Sequence, residues 1–480
     1  MTAIVTTPFR VVNAENFKAN VGANSVYLAI GKADVWSSST SDLTDTTPFT
    51  PNDRIDDINE SYQNLLGMKK VTSSDIAHVI PRNTWASGTP YFPWDSDDAT
   101  IYDEPFYVIT SEFKVYKCIV ADGNSEVQPT QTNTAPTAES DGYVWKYMYA
   151  VTVTDAEKFL TVSYMPVQTL AESPVLADTH INYSNQASQI NSRAHANAAG
   201  IERIEVTSGG SGYSNGTGKT GIVFTGDGAS AAATATVEDG AITSIQVTNK
   251  GTDYTVADIT FDTSGTIGGG SDAAARAVIA PPNGHGTDPI GELGGFYIGI
   301  NVQLAGSETP GGGVHGDLAV GQDFRQISLI KNPQYHGGTT TATATTLRAT
   351  KYLKANSSGL SGTFVVDQLL SGGTSGAKAY LAEIDTSNGF LYYYQNSKTG
   401  YKPFVNAETV TGTLPSGGSV VLHASNGVPS TSEAFDGSSA TTTGIPEVKH
   451  NSGQVVFLEN RDPISRSSTQ IEDVKLIIEF

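Results

Sequence analysis

The segment Tyr143-Val-Trp-Lys-Tyr-Met-Tyr-Ala-Val151 alternates with a period of two. Tyr143, Trp145, Tyr147 and Tyr149 share one face, and Val144, Lys146 and Met148 share the other. Only an extended chain throws successive side chains to opposite sides, so this pattern predicts a strand with one largely aromatic face. Val26-Tyr-Leu-Ala-Ile30, Phe106-Tyr-Val-Ile109 and Lys114-Val-Tyr-Lys-Cys-Ile-Val120 are similarly rich in β-branched and aromatic residues, and Gly, Pro, Asp and Asn bound them. The style returns at Phe296-Tyr-Ile-Gly-Ile-Asn-Val-Gln-Leu304, Phe324-Arg-Gln-Ile-Ser-Leu-Ile330 and Gly453-Gln-Val-Val-Phe-Leu-Glu-Asn-Arg461. A final apolar stretch, Val474-Lys-Leu-Ile-Ile-Glu-Phe480, is expected to tie the C-terminus into a sheet. The chain reads as mainly β.

Between these stretches lie two polar regions with internal repeats. From Ile201 to about Ala280 the chain is Gly, Ala, Ser and Thr with almost no aromatic residues. Ile204-Glu-Val-Thr-Ser-Gly-Gly-Ser-Gly-Tyr213 returns there as Ile245-Gln-Val-Thr-Asn-Lys-Gly-Thr-Asp-Tyr254. Each copy reads as strand, Gly-rich turn and strand, closed by Tyr, and two copies make a small β module rather than a long solenoid. From Thr339 to Gly444, Phe364-Val-Val-Asp-Gln-Leu-Leu-Ser-Gly-Gly373 is loosely repeated as Phe404-Val-Asn-Ala-Glu-Thr-Val-Thr-Gly-Thr413. Both regions are expected to be insertions.

One helix can be argued in detail. Thr50 is placed as N-cap, Pro51 at the first helical position and Asp53 near the positive end of the dipole. Ile55, Ile58, Tyr62, Leu65 and Leu66 then recur at spacings of three and four, and Gly67 gives a stop. Such a stripe must be covered, either by the chain's own sheet or by a subunit partner.

Charge narrows the function. With 28 Lys plus Arg against 49 Asp plus Glu, the net charge is −21. Nucleic acid is excluded as a partner, because phosphate binding draws on a surplus of basic groups, and an anionic membrane surface is disfavoured for the same reason. No apolar run approaches the roughly 20 residues of a bilayer span, so no membrane insertion is expected. The start lacks the basic and apolar regions of a secretory signal, and a reducing compartment is expected. The lone Cys118 forms no internal disulfide and reads as a buried hydrophobe on a strand.

No catalytic constellation emerges. Gly212-Tyr-Ser-Asn-Gly216 matches a nucleophile elbow, but Lys219-Thr-Gly-Ile-Val-Phe224 then reads as strand where that site needs a helix. Gly218-Lys219-Thr220 is the tail of a phosphate loop whose first glycine is replaced by Tyr213. The eight histidines are scattered, and the clusters Asp53/Asp56/Asp57 and Asp95/Asp97/Asp98 lack the ligand spacing of a calcium loop. The reading is therefore no catalytic residues, no cofactor, no metal and no enzyme.

Several motifs together resemble a known family. They are Pro8-Phe-Arg10, Val26-Tyr-Leu-Ala-Ile-Gly-Lys-Ala-Asp-Val-Trp-Ser37, Ile80-Pro-Arg-Asn-Thr-Trp85, Asp141-Gly-Tyr-Val-Trp-Lys-Tyr147, Phe324-Arg-Gln-Ile-Ser-Leu-Ile-Lys-Asn-Pro333 and Ser452-Gly-Gln-Val-Val-Phe-Leu-Glu-Asn-Arg-Asp-Pro463. In this order the chain resembles the baseplate wedge subunit of T-even-type contractile-tailed bacteriophages, the gene-eight product family. The resemblance runs over residues 1–165, 295–333 and 451–480, and the two repeat-bearing regions depart from it. It implies a layered β-sandwich core with a few helices in loops, plus two inserted small β modules. The organisation expected is residues 1–200 as the N-terminal part of the core with a helical loop and 201–282 as the first inserted module. Residues 283–338 continue the core, 339–445 form the second module and 446–480 the C-terminal core strands.

The implied role is structural. The chain would join neighbouring wedge proteins in the virion's tail baseplate, which triggers sheath contraction, after synthesis and assembly in the host cytoplasm. Its expected partners are a second copy and other wedge subunits. The family's helix-lined interface makes Ile55, Ile58, Tyr62, Leu65 and Leu66 the expected dimer-interface helix. Phe324, Arg325 and Gln326 are read as a core-fixing motif, with Ile327 and Leu329 packed inward and Arg325 reaching an internal carboxylate or carbonyl through its planar fork. A receptor-binding or glycan-depolymerising tail protein is the alternative, marked by a long β-helix with paired carboxylates facing one groove.

Overall fold

A computed structural model describes residues 4–36, 45, 47–170, 188–190, 192–193, 200–305, 318–356, 359–386, 389–413, 418–422, 428, 448–467 and 469–480. The fold is mainly β, with several antiparallel sheets and few helices. The chain forms two compact units, one of residues 1–16, 77–299 and 477–480 and the other of residues 17–76 and 300–476. The first helix, α1 (Thr7–Ala23), begins in the former and runs into the latter.

In the unit of residues 17–76 and 300–476, five antiparallel strands lie in the order Thr346–Arg348, Leu65–Lys70, Val26–Gly31, Asp323–Lys331, Gln454–Ser465. Val26–Gly31 is buried along its whole length, as a central strand of branched and aromatic residues allows. Asp323–Lys331 is likewise buried from Phe324 to Ile330. The alternation read from its sequence therefore does not divide an inner face from a solvent face, because this strand is covered on both sides. Tyr27, Tyr62, Leu65, Met68, Ile330 and Leu347 meet in one apolar core.

The second helix, α2 (Ile55–Gln63), is shorter than its sequence pattern predicts. It starts after Arg54, not after Thr50. The Asp57 carboxylate accepts from the Asn52 backbone N–H at 3.2 Å and pairs with Arg54 at 2.7 Å, which completes a turn ahead of the helix. Asn64 ends it, donating its backbone N–H to Glu60. Leu65 and Leu66 are consequently not helical: they open a strand in which Gly67 faces Ile30 on one side and Arg348 on the other. Ladder bonds to two neighbouring strands outweigh the helical spacing of the side chains.

The second repeat lies in the same unit and shows why its sequence recurs. Six strands order as Lys351–Lys354, Phe390–Tyr394, Lys378–Asp385, Leu369–Gly372, Thr409–Gly412, Ser419–Val421. Leu369–Gly372 and Thr409–Gly412 are equivalent strands of the repeat, and they pair with each other, Ser371 opposite its counterpart Thr411. A local two-fold axis thus runs through that pair. Gln368 lies over Gly412 and its counterpart Glu408 over Gly372. A Cβ added to either glycine would fall 2.2 Å or 2.6 Å from the side chain above it. Phe364 and its counterpart Phe404 share the buried core beneath.

In the other unit, strands Tyr107–Ile109, Lys114–Val120, Val144–Ala150 and Thr137–Ala138 form a sheet, flanked by the short helices α3 (Val153–Phe159) and α4 (Pro289–Glu292). Three of the four aromatic residues keep one face: Tyr143, Trp145 and Tyr147 share a buried core, where Trp145 stacks on Tyr143 at 5.5 Å and 14°. A register shift between Tyr147 and Tyr149 turns Tyr149 instead into the core on the other side, beside Met148 and Val115. The opposite face is buried as well, and Lys146 is 1% exposed. The buried tyrosines keep their hydroxyls bonded, Tyr107 to the Pro81 carbonyl and Tyr149 to that of Pro166, both at 2.9 Å. Without such partners their burial would be costly.

Residues 201–279 of this unit build two antiparallel sheets of three and four strands over a core that contains Tyr213 and Tyr254. The repeat is visible at the closing tyrosines. Gly210 and Gly251 both adopt positive φ, +62° and +68°, and an added Cβ would meet Tyr213 or Tyr254 at 2.9 Å and 2.8 Å. Each tyrosine ring thus lies against the backbone of its own turn, which only glycine permits.

Candidate assembly surfaces and chemical groups

Arg325 is 3% exposed and spends its donors inside its own unit. Nε and Nη2 donate in parallel to the two carboxylate oxygens of Asp45, Nη2 also to Asp323 at 3.0 Å, and Nη1 to the Ala33 carbonyl at 2.6 Å. This fork holds the loop after Val26–Gly31 against the strand Asp323–Lys331. The bonds from Arg325 keep the Asp45 carboxyl below its ordinary pKa. Phe324 is fully buried, and Gln326 donates to Asn460 at 2.8 Å. All three residues therefore point to internal partners.

The five residues read as an interface stripe separate in space. Tyr62 and Leu65 are buried in the core of their own unit, Leu66 is buried as well, and the Tyr62 hydroxyl donates to the Gly453 carbonyl at 3.0 Å. Ile58 is half-buried against the same core. Ile55 alone is open, at 77% exposure.

A second apolar helical face escaped the sequence reading. Phe9 and Val12, three apart in the first turns of α1, are both exposed, Phe9 by 56%, and Val5 just ahead of the helix is exposed as well. Val11, Ala14 and Val21 are buried. Arg10 lies over the Phe296 ring at 3.5 Å and pairs with Glu479, fastening this end of the helix. The available signal was Pro8 in the first turn followed by apolar residues at helical spacing, but α1 has no acidic residue in its first turn and no basic residue in its last.

The candidate chemical groups stay apart. Ser214 is followed by the strand Gly216–Lys219, and its backbone N–H donates to the Ile267 carbonyl at 2.9 Å. Asp57 is paired with Arg54, and Asp95 with Arg276 and Arg203, so both carboxylates already have cationic partners. Among the described residues no group of three or more His, Cys, Asp or Glu could hold a metal ion. Cys118 is fully buried, its Sγ 3.4 Å from the Val120 carbonyl, and burial pushes the thiol pKa far up. Among the described residues no helix is long and apolar enough to cross a membrane.

Two sequence similarities bear on these surfaces. A family model described as "Bacteriophage T4, Gp8" matches residues 3–122, which include α1, α2 and the strands Val26–Gly31 and Lys114–Val120. The chain is also 24% identical over 186 residues to the "Baseplate wedge protein gp8" of Enterobacteria phage T4. That alignment covers 31% of this chain and 55% of the T4 protein, so the chain spans about half the length of the curated relative it matches. Both similarities are to gp8-type baseplate wedge proteins.

Proposed function

We propose that this chain is a structural component of a phage tail baseplate wedge, where it joins neighbouring wedge proteins in the assembly that triggers sheath contraction. The observation that carries this reading is the family match over residues 3–122. That segment contributes two helices with exposed apolar side chains, α1 with Phe9 and α2 with Ile55. In this reading the protein is a homodimer, and one or both helical faces are covered by a second copy. Residues 201–282 and 339–445 are modules inserted in the wedge core. The protein is made in the host cytoplasm, is incorporated into the virion and acts by contact, not catalysis.

The antiparallel ladders of both modules give no support to a β-helical depolymerase, whose coils stack in parallel. Electron microscopy of the intact virion tests the proposal. Density for this chain is expected in the baseplate, in contact with other wedge proteins. Its location on a receptor-binding fibre would overturn the proposal.

A further inference from the structure

In the unit of residues 1–16, 77–299 and 477–480, a cavity of about 600 Å³ is lined by Lys146, Glu202, Lys250 and His285, with residues 134–136 and 248–252 around them. The charges there do not cancel. Glu202 takes both of its bonds from Lys250 Nζ, at 2.6 and 2.8 Å. Glu292, beside the cavity, accepts from Lys117 Nζ at 3.0 Å and from the backbone N–H groups of Gly286 and Asp288. Lys146 is 1% exposed and donates to the carbonyl of Thr134, a neutral partner. Of these three lysines it alone has no carboxylate among the described residues.

His285 adds a second, independent sign. It is 6% exposed and set edge-on to Trp94 at 6.0 Å, and neither of its ring nitrogens has a hydrogen-bond partner. The nearest carboxylate oxygen, Glu202 Oε2, stands 3.7 Å from Nε2. Burial first, then Lys117, Lys250, Lys146 and Arg203, hold the ring neutral by driving its pKa well below 6.5. A neutral imidazole carries one N–H and one bare nitrogen, and leaving such a group buried and unpaired is destabilising. One water occupies only about 30 Å³, so the cavity has room for a larger polar guest. Gly286, at φ +92°, lets the backbone approach Lys146: a Cβ there would lie 3.0 Å from Lys146 Cε.

We propose that this cavity binds a small oxyanion, a phosphate or a carboxylate, between the Lys146 ammonium and the His285 N–H. The anion supplies the charge that Lys146 lacks and a partner for the orphaned imidazole. Burial lowers the Lys146 pKa to about 8, against the pull of Glu292 and Glu202 and with the help of Lys250 and Lys117. A bound anion stabilises the protonated amine, so affinity falls as pH rises above about 8.

The test titrates the full chain with sodium sulfate, phosphate and acetate against sodium chloride at equal ionic strength, read by calorimetry and thermal unfolding. At pH 7 a saturable stabilisation beyond that of chloride is expected. Sulfate keeps its charge throughout, and its affinity should weaken by up to about tenfold per pH unit above about pH 8, as one proton is lost. Lys146→Met should abolish binding, and His285→Gln should weaken it several-fold. A response to sulfate and phosphate alone assigns a tetrahedral anion; a response to acetate alone assigns a carboxylate. Should Lys146→Met not fold, the pH dependence of the wild-type chain still decides. No saturable effect of any oxyanion, or an affinity unchanged between about pH 7 and pH 9.5, would overturn the proposal.

Discussion

Arg325 and Asp45 lie 280 residues apart in sequence and meet through two parallel hydrogen bonds, Nε to Oδ1 at 2.9 Å and Nη2 to Oδ2 at 2.8 Å. The Asp45 carboxylate also accepts from the Trp36 backbone N–H at 3.0 Å, so one ion pair joins a buried strand to the loop that follows Val26–Gly31. Removing the guanidinium strands Asp45 and frees the Ala33 carbonyl. Arg325→Ala is therefore expected to cost about 2–4 kcal/mol, somewhat below the full penalty of a broken buried pair because Asp45 keeps partial contact with water. Arg325→Lys should recover only part of this, since an ammonium cannot reproduce the planar fork. Urea unfolding of the two variants checks it. A fully stable Arg325→Ala protein that no longer joins other wedge proteins would move this arginine from the core to an interface.

Two histidines with depressed pKa values, His450 and His285, set a pH window. The ring nitrogens of His450 lie 2.8 Å and 2.7 Å from the carbonyls of Tyr62 and Ala349, and burial lowers its pKa to about 4 from an ordinary 6.5. A neutral ring has one N–H and satisfies one carbonyl at a time. His285 is shifted in the same direction. A histidine with a depressed pKa leaves the unfolded chain binding more protons than the folded one, so stability present above pH 6.5 is lost as pH falls. The slope is about 1.4 kcal/mol per pH unit for each such histidine. Urea midpoints between pH 7 and pH 5 should drop accordingly, and His450→Gln should flatten the slope. Equal midpoints across that range would contradict the depressed pKa of both rings.

The strands were legible because their composition is local information. Branched and aromatic runs bounded by turn residues mark Val26–Gly31, Lys114–Val120 and Val144–Ala150 whatever lies around them. What covers a strand is not local. Lys146 sits opposite the aromatic residues of an alternating segment, and no local spacing announces that it is 1% exposed. Leu65 and Leu66 continue a helical spacing, yet two neighbouring strands claim their backbone. The cavity at His285 joins residues from 134 to 285, and no spacing in the chain announces it.

The module of residues 201–279 should be removable at a measurable cost. Its sheets pair internally over their own core. Its ties to residues 94–96 are Arg203 and Arg276 on Asp95, Arg203 on the Trp94 carbonyl, the Trp94 indole N–H on the Ile279 carbonyl at 3.4 Å, and the Ile279 N–H on Ser96 Oγ at 3.1 Å. Replacing it by a short Gly/Ser linker should leave a cooperatively folding protein, with Asp95 stripped of its two cations. If the deletion yields only aggregate, the module is part of the core.

Association with other wedge proteins should be salt-sensitive. A net charge of −21 favours partners with basic patches, whose attraction is screened at high ionic strength. Copurification of neighbouring wedge subunits is expected to fall across a sodium chloride series. Retention at high salt equal to that at low salt would place the contacts in apolar surface instead.

The last expectation separates the two helical faces. Phe9 and Val12 on α1 and Ile55 on α2 are 56%, 48% and 77% exposed, so an aspartate at any of them should leave the fold intact. Where such a face is covered by a second copy, each large apolar side chain buried contributes about 1.5–3 kcal/mol, and a buried carboxylate without a partner costs more than that. Phe9→Asp or Ile55→Asp should therefore shift the mass measured by light scattering from dimer to monomer while the circular dichroism spectrum is unchanged. Dissociation by Phe9→Asp alone assigns the interface to α1, and by Ile55→Asp alone to α2. Tyr62→Ala and Leu65→Ala should behave differently, costing about 2–5 kcal/mol of folding stability as cavities in the core of their own unit. A wild-type protein that is monomeric at all concentrations would refute the dimer outright. A trimer would point back towards a receptor-binding tail protein.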